Sequence, residues 1–281
     1  MLSKRHYLNL VAKFVLAILI MMLPVASTSS VSAQENKTPW AQIVSNSNSP
    51  KALKILFIGH SKFYINDLPR LFTFVSKMQN PTKPLKVGSV FGSSYTLQEH
   101  WESGLAKKMI HEKGPWDYII VIERTGYPVE KRKQTEIYFN LFNQEARAAK
   151  AQLILTESYP DKSDEYEELH EAMAQYSRKF RCPLLPIGCA WNMILKRNPR
   201  LNLFAPDKHH PSFQGTYLMA SVCYTFFENR KLNLKPVKFQ INNQKKTISN
   251  LNLNALHEAA WQANIISKGE ETYLTSYDEP D

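Results

Sequence analysis

Residues 54–69 read KILFIGHSKFYINDLP, a short apolar run followed by a polar turn and a helix start. The apolar run ends at Gly59, and Ser61 follows two residues later. The Asn-Asp pair at 66–67 supplies N-cap residue types, and Pro69 suits the first helical turn. The pattern predicts a strand that ends at Gly59 and leaves Ser61 at its carboxyl end, where open α/β sheets bind their ligands.

Strand patterns alternate with helical patterns along most of the chain. The predicted strands are apolar runs bounded by polar or turn residues, at 54–58, 85–91, 117–122, 152–157 and 184–187. Helical patterns lie at 68–75, 97–112 with a break at Gly104, 130–149, 163–180, 190–197 and 215–227. This alternation predicts a parallel sheet covered on both faces. With right-handed crossovers, it predicts an α/β fold, a three-layer α/β/α sandwich with a five-stranded, mostly parallel sheet.

A second motif lies about 150 residues further on. Residues 205–215 read APDKHHPSFQG and precede a long apolar helix, for which Ser212 is a suitable N-cap. The spacing of Asp207 and His210 lets the carboxylate fix the tautomer of the imidazole and leaves the other ring nitrogen as a base. His209 lacks that spacing, so we expect it to be exposed or to tune the site.

A serine hydroxyl is a weak nucleophile until a base accepts its proton. On its position alone, Ser61 is a turn residue that caps the following loop. Together with the downstream pair Asp207 and His210, we interpret it as a nucleophile, with His210 as its base and Asp207 as the group that orients the base.

These motifs, in this order, resemble the SGNH (GDSL-type) hydrolase family over roughly residues 51–230. The resemblance rests on Gly-x-Ser at 59–61, NDLP at 66–69, and Asp-x-x-His-Pro-Ser-x-x-Gly at 207–215. Gly92 followed by TLQEHW at 96–101 resembles the second block of the family. It implies an SGNH/flavodoxin-like fold and a serine esterase that needs no metal or organic cofactor. It also implies the same three catalytic roles and an oxyanion hole formed by the backbone N–H groups of Ser61 and Gly92.

The sequence departs from the family pattern at the third block, which usually supplies an Asn or Gln side chain to the oxyanion hole. Residues 121–126 read VIERTG and contain neither. An ionised Glu123 only accepts hydrogen bonds, whereas Arg124 can donate them. We therefore expect weakened activity, because removing one such donor costs about 100- to 1000-fold.

Four residues are candidates for substrate contact: His60, Glu123, Arg124 and Trp101. His60 stands where the family often has Asp or Asn. Trp101 belongs to the second block, where an aromatic ring beside the cleft can stack on a sugar. Its alternative role is that of an ordinary core tryptophan.

The ends of the chain lie outside the predicted domain. Basic residues, an apolar stretch and a small-residue site predict a signal peptide at 1–33 and a secreted or periplasmic protein, with an uncleaved anchor as the alternative. We interpret 34–50 as a linker and 51–231 as the hydrolase domain. The remaining residues, 232–281, are interpreted as an extension with one helix at 253–266 and a disordered acidic tail at 269–281. No stable membrane insertion is expected after cleavage.

Composition excludes several other classes of protein. The formal net charge is +10, but no dense Lys/Arg block with interleaved aromatics is present, so no nucleic-acid partner is expected. Cys182, Cys189 and Cys223 are odd in number and are interpreted as buried thiols. No Cys/His spacing resembles a zinc site, and no metal is expected.

We therefore predict a serine hydrolase that cleaves carboxylic esters, most simply short acyl groups on carbohydrate, with a small-molecule or glycan ester as substrate. One alternative is a non-catalytic glycan-binding or cell-envelope protein on the same fold. The other is an acyltransferase to glycans, which uses the same residues and differs in how well its site excludes water.

Overall fold

The computed structural model describes residues 38–233, 238–241, 244–248 and 250–275. The predicted signal peptide at 1–33 lies outside the described residues. Among the described residues, no helix combines the length and the apolar character that crossing a bilayer requires.

A six-stranded sheet forms the centre of the fold, in the order β1-β3-β2-β4-β5-β6. The strands are β1 Trp40–Ser45, β2 Leu53–Gly59, β3 Leu85–Phe91, β4 Tyr118–Val121, β5 Gln152–Thr156 and β6 Leu184–Leu185. All neighbouring strands are parallel except β1, which pairs antiparallel with β3. The predicted α/β class and the five predicted strands are confirmed, and the sheet has one strand more than predicted.

The additional strand, β1, corrects the prediction that 34–50 is a linker. It is an edge strand that stays half exposed, with a bulge between Ile43 and Ser45, so it lacks the apolar run that marks the buried strands. Tertiary contacts hold it in place. The Trp40 ring lies 4.9 Å from the Tyr64 ring and 6.1 Å from that of Phe91, and both rings are edge-on to it.

Ten helices are described. They are α1 Ser61–Tyr64, α2 Leu68–Gln79, α3 Leu97–Glu102, α4 Leu105–Glu112, α5 Tyr127–Glu130, α6 Arg132–Ala148, α7 Tyr166–Phe180, α8 Ile187–Arg197, α9 Phe213–Glu228 and α10 Asn250–Thr275. Gly104 separates α3 from α4 with a φ of 72°, which is the break that the sequence predicts. A single 3₁₀ turn, Ser163–Glu165, precedes α7.

Helices cover both faces of the sheet. Alternate residues of the central strands face opposite sides, so Phe57 and Ile120 belong to one buried cluster while Ile58 and Val121 belong to the other. Helices α2, α8, α9 and α10 pack in the first cluster, and α3, α4, α6 and α7 pack in the second. This is the three-layer arrangement that the sequence predicts.

Helix α10 corrects the predicted C-terminal boundary. It buries one apolar side against α9 and α8 in the first cluster, through Leu253, Leu256, Ala259, Ala260 and Ala263. The segment after 231 is therefore partly core rather than an appendage. The helix also runs to Thr275, where a disordered tail from 269 was expected, and residues 276–281 lie outside the described residues. Between α9 and α10, strands β7 Lys238–Ile241 and β8 Gln244–Thr247 form a separate antiparallel pair.

Candidate active site

Ser61 lies at the carboxyl edge of the parallel sheet. Strand β2 ends at Gly59, His60 is the N-cap of the four-residue helix α1, and Ser61 is the first residue of that helix. Gly59 permits the close approach of the next strand, since a Cβ there would lie only 2.3 Å from Ile122 Cγ2. The turn leaves Ser61 at the edge of the sheet with 8% of its surface exposed.

The Asp207–His210 segment is a constrained turn. One carboxylate oxygen of Asp207, Oδ1, accepts the backbone N–H groups of both His209 and His210 at 3.0 Å. Lys208 takes a positive φ of 58°, and the Ala205 N–H donates to the His210 carbonyl at 2.8 Å. Ser212 then caps α9 by accepting the Gly215 N–H at 3.1 Å, as predicted.

The three side chains form one hydrogen-bonded chain. His210 Nε2 lies 2.9 Å from Ser61 Oγ, and His210 Nδ1 lies 2.7 Å from Asp207 Oδ2. The carboxylate therefore holds Nδ1–H and leaves Nε2 to face the serine. The hydrogen bond from His210, followed by the two backbone N–H groups, lowers the pKa of the half-exposed Asp207 well below its usual value.

Gly92 was predicted to offer its backbone N–H to the oxyanion hole, but this N–H already makes a hydrogen bond within the sheet. Its N–H donates to the Gly59 carbonyl at 3.2 Å, because the β2–β3 ladder continues to this position. A Cβ at Gly92 would lie 2.2 Å from the Tyr95 ring, so close packing accounts for the glycine. The N–H of Ser61, in the first turn of α1, belongs to the amides that a helix leaves without an intrahelical acceptor. Its role as a donor stays a prediction.

His60 and Glu123 are buried connections between strand ends. His60 Nε2 lies 3.3 Å from the Glu123 carbonyl, and His60 Nδ1 accepts the Lys62 N–H at 3.4 Å. Burial, aided by the nearby Lys62 charge, lowers the pKa of His60 to about 3, which keeps the ring neutral. The Glu123 carboxylate accepts the N–H groups of Arg124 at 2.8 Å and Leu97 at 3.3 Å. These contacts give both side chains a structural role.

Arg124 and Trp101 make packing contacts. The Arg124 guanidinium lies 5.2 Å from the centre of the Tyr127 ring. The Trp101 ring packs edge-on to Phe142 at 5.4 Å, and the Lys107 ammonium lies 4.5 Å from its centre. Trp101 is partly buried and packs against the second cluster, which favours the packing role that was the alternative to sugar stacking.

Three residues that the sequence did not single out as part of the site approach it. Tyr159 and Asp161 follow β5, and both accept a hydrogen bond from the buried ammonium of Lys62, at 2.8 Å to the Tyr159 carbonyl and 3.3 Å to Asp161 Oδ1. Asn66 Nδ2 donates to the Pro211 carbonyl at 2.9 Å. The position of Tyr159 and Asp161 after a predicted strand was the only available signal, because parallel strands end at one edge.

Within the described part of the chain, no group of three or more His, Cys, Asp or Glu side chains comes together to hold a metal ion. Cys182, Cys189 and Cys223 are buried. Burial raises the pKa of the Cys182 thiol to about 11, and it also raises that of Cys223.

No protein-family model matches the sequence, and no curated protein matches it. Solved structures do match. A DUF4886 family protein from Bacteroides uniformis is 13% identical with a TM-score of 0.57, over 76% of this chain and 95% of that one. A mutant of Axe2, an acetyl-xylooligosaccharide esterase from Geobacillus stearothermophilus, is 13% identical with a TM-score of 0.50, over 66% and 98%. A protein from Slackia heliotrinireducens assigned as an SGNH hydrolase is 20% identical with a TM-score of 0.48, over 60% and 95%.

The chain shares its fold with the DUF4886 family protein and with Axe2. At these identities the likeness concerns the fold alone, and the activity must be argued from the site itself.

Proposed function

We propose that this protein is a serine hydrolase of carboxylic esters. The observation that carries the proposal is the hydrogen-bonded chain from Ser61 Oγ through His210 to Asp207, with distances of 2.9 and 2.7 Å. A serine, a neutral imidazole and a carboxylate in this arrangement form an activated nucleophile, whatever fold carries them.

The proposed reaction has two halves. Ser61 Oγ attacks the ester carbonyl carbon while its proton passes to His210 Nε2. The bond from that carbon to the alkoxy oxygen then breaks, and His210 returns the proton to the departing alcohol. Water attacks the acyl-enzyme in the same way, with its proton passing through His210, and releases the carboxylic acid and Ser61. Asp207 holds the imidazole in the required tautomer throughout.

We propose a short acyl group on a carbohydrate as substrate and a secreted or periplasmic location. The named activity of Axe2, an acetyl-xylooligosaccharide esterase, supports the first. The predicted signal peptide supports the second. Because Ser61 is only 8% exposed, we expect small acyl groups to reach it more readily than long ones.

The shortage of oxyanion-hole donors favours a second candidate, a non-catalytic glycan-binding protein on the same fold. The N–H of Gly92 is engaged by Gly59, and residues 121–126 supply no side-chain amide. A site with one backbone donor stabilises a tetrahedral intermediate poorly.

Hydrolysis of p-nitrophenyl acetate, propionate and butyrate by residues 34–281 tests the proposal. We expect turnover that is highest on acetate and falls by about 10³-fold or more in Ser61→Ala and in His210→Ala. The matched controls are Ser103→Ala, at the exposed serine that follows α3, and His111→Ala, at a half-exposed histidine of α4. Wild-type protein that is folded but inactive on all three esters would refute hydrolysis and leave the binding candidate.

A further inference from the structure

A buried lysine lies directly beside the proposed nucleophile. The Lys62 side chain is fully buried, and its ammonium donates to the Tyr159 carbonyl at 2.8 Å and to Asp161 Oδ1 at 3.3 Å. The ammonium also lies 4.0 Å from the centre of the Tyr159 ring. An apolar side chain of similar length would fill this space without the cost of burying a charge. The lysine is therefore better explained by the groups that its ammonium binds than by packing.

Lys62 binds one of the two oxygens of the Asp161 carboxylate, and His209 binds the other. Asp161 Oδ1 accepts from Lys62, and Asp161 Oδ2 lies 2.7 Å from His209 Nδ1. The His209 backbone is fixed as well, because the Tyr159 hydroxyl donates to its carbonyl at 3.4 Å. The Tyr159 ring is itself stacked on Trp191 at 3.6 Å. The imidazole of His209 is thus restrained at its ring and at its backbone.

His209 stands next to His210 in a matching arrangement. Their ring centres are 4.7 Å apart, and each ring is held at Nδ1 by its own aspartate at 2.7 Å. In His210 this arrangement leaves Nε2 to contact Ser61. In His209 it leaves Nε2 on a half-exposed ring that adjoins the ring of His210.

We propose that His209 is a second, substrate-binding histidine, which accepts a hydrogen bond from a hydroxyl on the alcohol part of the ester. A neutral imidazole that donates Nδ1–H to Asp161 presents Nε2 as an acceptor, so the group it recognises is a donor such as a hydroxyl. The ligand class is an ester of a polyhydroxy alcohol with a hydroxyl next to the acylated oxygen. Asp161 and Lys62 are positioning residues. This inference rests on the proposed hydrolase function.

Two esters of almost equal size isolate this contact. In 2-hydroxyethyl acetate a hydroxyl replaces the terminal methyl of n-propyl acetate. We expect wild-type protein to show a higher kcat/KM for the hydroxylated ester. His209→Asn keeps a donor near the position of Nδ1 and removes Nε2, so we expect it to lower the ratio of the two kcat/KM values about 3- to 10-fold, the value of one hydrogen bond.

Further variants separate binding from support of the structure. Lys62→Met releases Asp161 and is expected to lower the same ratio by a smaller factor. His209→Gln carries an amide to about the position of Nε2 and is expected to restore part of the ratio. His111→Asn is the matched control, because His111 is also half exposed and paired with a carboxylate, that of Glu145, and it should leave the ratio unchanged.

The outcomes are distinguishable. If wild-type protein hydrolyses neither acetate, the proposed function fails and this inference falls with it. If wild-type protein hydrolyses both acetates, the hydrolase proposal stands. If His209→Asn then leaves the ratio of the two kcat/KM values unchanged, the substrate contact of His209 is refuted. Thermal unfolding of each variant shows whether a loss of activity reflects loss of the fold.

Discussion

At the scale of single residues, the site combines groups whose charge is set by burial with groups whose charge is set by partners. His60 is neutral because it is buried, whereas Asp207 stays ionised because His210 and two backbone N–H groups donate to it. Glu123 is the case in which burial and partners oppose each other. Burial is the larger effect and raises its pKa to about 7, although the N–H groups of Arg124 and Leu97 favour the ionised form.

The raised pKa of Glu123 makes a pH-dependent contribution to stability. Between about pH 4.5 and 7 the folded state keeps a proton that the unfolded state releases, so the stabilisation is complete below pH 4.5 and is lost as the pH rises through 7. The full loss is on the order of 3 kcal/mol. Glu123→Gln removes this pH dependence. We therefore expect the free energy of unfolding of the variant, minus that of wild type, to increase by about that amount between pH 5 and pH 8.

Urea unfolding at the two pH values measures this difference. Comparison of variant with wild type removes the opposite contribution of the buried histidines, whose lowered pKa values make stability rise with pH in the acid range. Glu112→Gln, at an exposed glutamate of α4, is the control and should show no such trend. A pH-independent difference for Glu123→Gln would contradict the assignment.

At the scale of elements, the site is assembled from two segments, and one side chain joins them. Asn66 follows the nucleophile helix α1, and its Nδ2 donates to the Pro211 carbonyl at 2.9 Å and to Thr216 Oγ1 at 3.0 Å. Pro211 is the neighbour of His210, and Thr216 lies in the first turn of α9. The amide therefore fixes the histidine loop relative to the segment that carries Ser61.

Asn66→Ala tests this connection. The loss of two part-buried hydrogen bonds is expected to lower the free energy of unfolding by about 1–3 kcal/mol. We also expect kcat to fall by more than KM changes, because the loosened loop holds His210 less accurately against Ser61. Asn140→Ala, on the exposed side of α6, is the control. A variant of unchanged stability and kcat would show that the two segments are held by other contacts.

Elements were predictable from sequence where local pattern and burial agree. The β3 strand was predicted with its observed bounds, and the α3–α4 break was predicted from Gly104, because a buried apolar run and a glycine at positive φ are local signals. Asp67 caps α2 by accepting the Arg70 N–H at 3.2 Å, as one of the two predicted caps. The β1 strand was missed, because its position depends on aromatic contacts with Tyr64 and Phe91 that are distant in sequence.

The candidate site was likewise predictable only where its residues lie in local sequence motifs. The motifs indicated Ser61, His210 and Asp207, and the structure places them in hydrogen-bond contact. No local pattern connects Lys62 with Asp161, since that pair forms only when the end of β5 reaches the end of β2. The hydrogen bond from the Gly92 N–H to the Gly59 carbonyl was not predicted either, because it is set by the register of β3 against β2.

At the scale of the whole molecule, a sheet with helices on both faces supports reactive groups at one edge. Four residues that contribute to the site follow three different parallel strands: Ser61 and Lys62 follow β2, Glu123 follows β4, and Asp161 follows β5. The histidine loop is then anchored by the buried helix α9, which α10 covers on one side. The rigidity of the site thus depends on packing that extends to the C-terminal helix.

The central claim is that Ser61 is an activated nucleophile, and covalent labelling by a fluorophosphonate tests it most directly. We expect an intact-mass increase of one adduct per chain, mapped to Ser61 by peptide analysis, with slower labelling in His210→Ala and none in Ser61→Ala. This result does not depend on the choice of ester. Folded wild-type protein that takes up no label, or that is labelled on a different serine, would contradict the account.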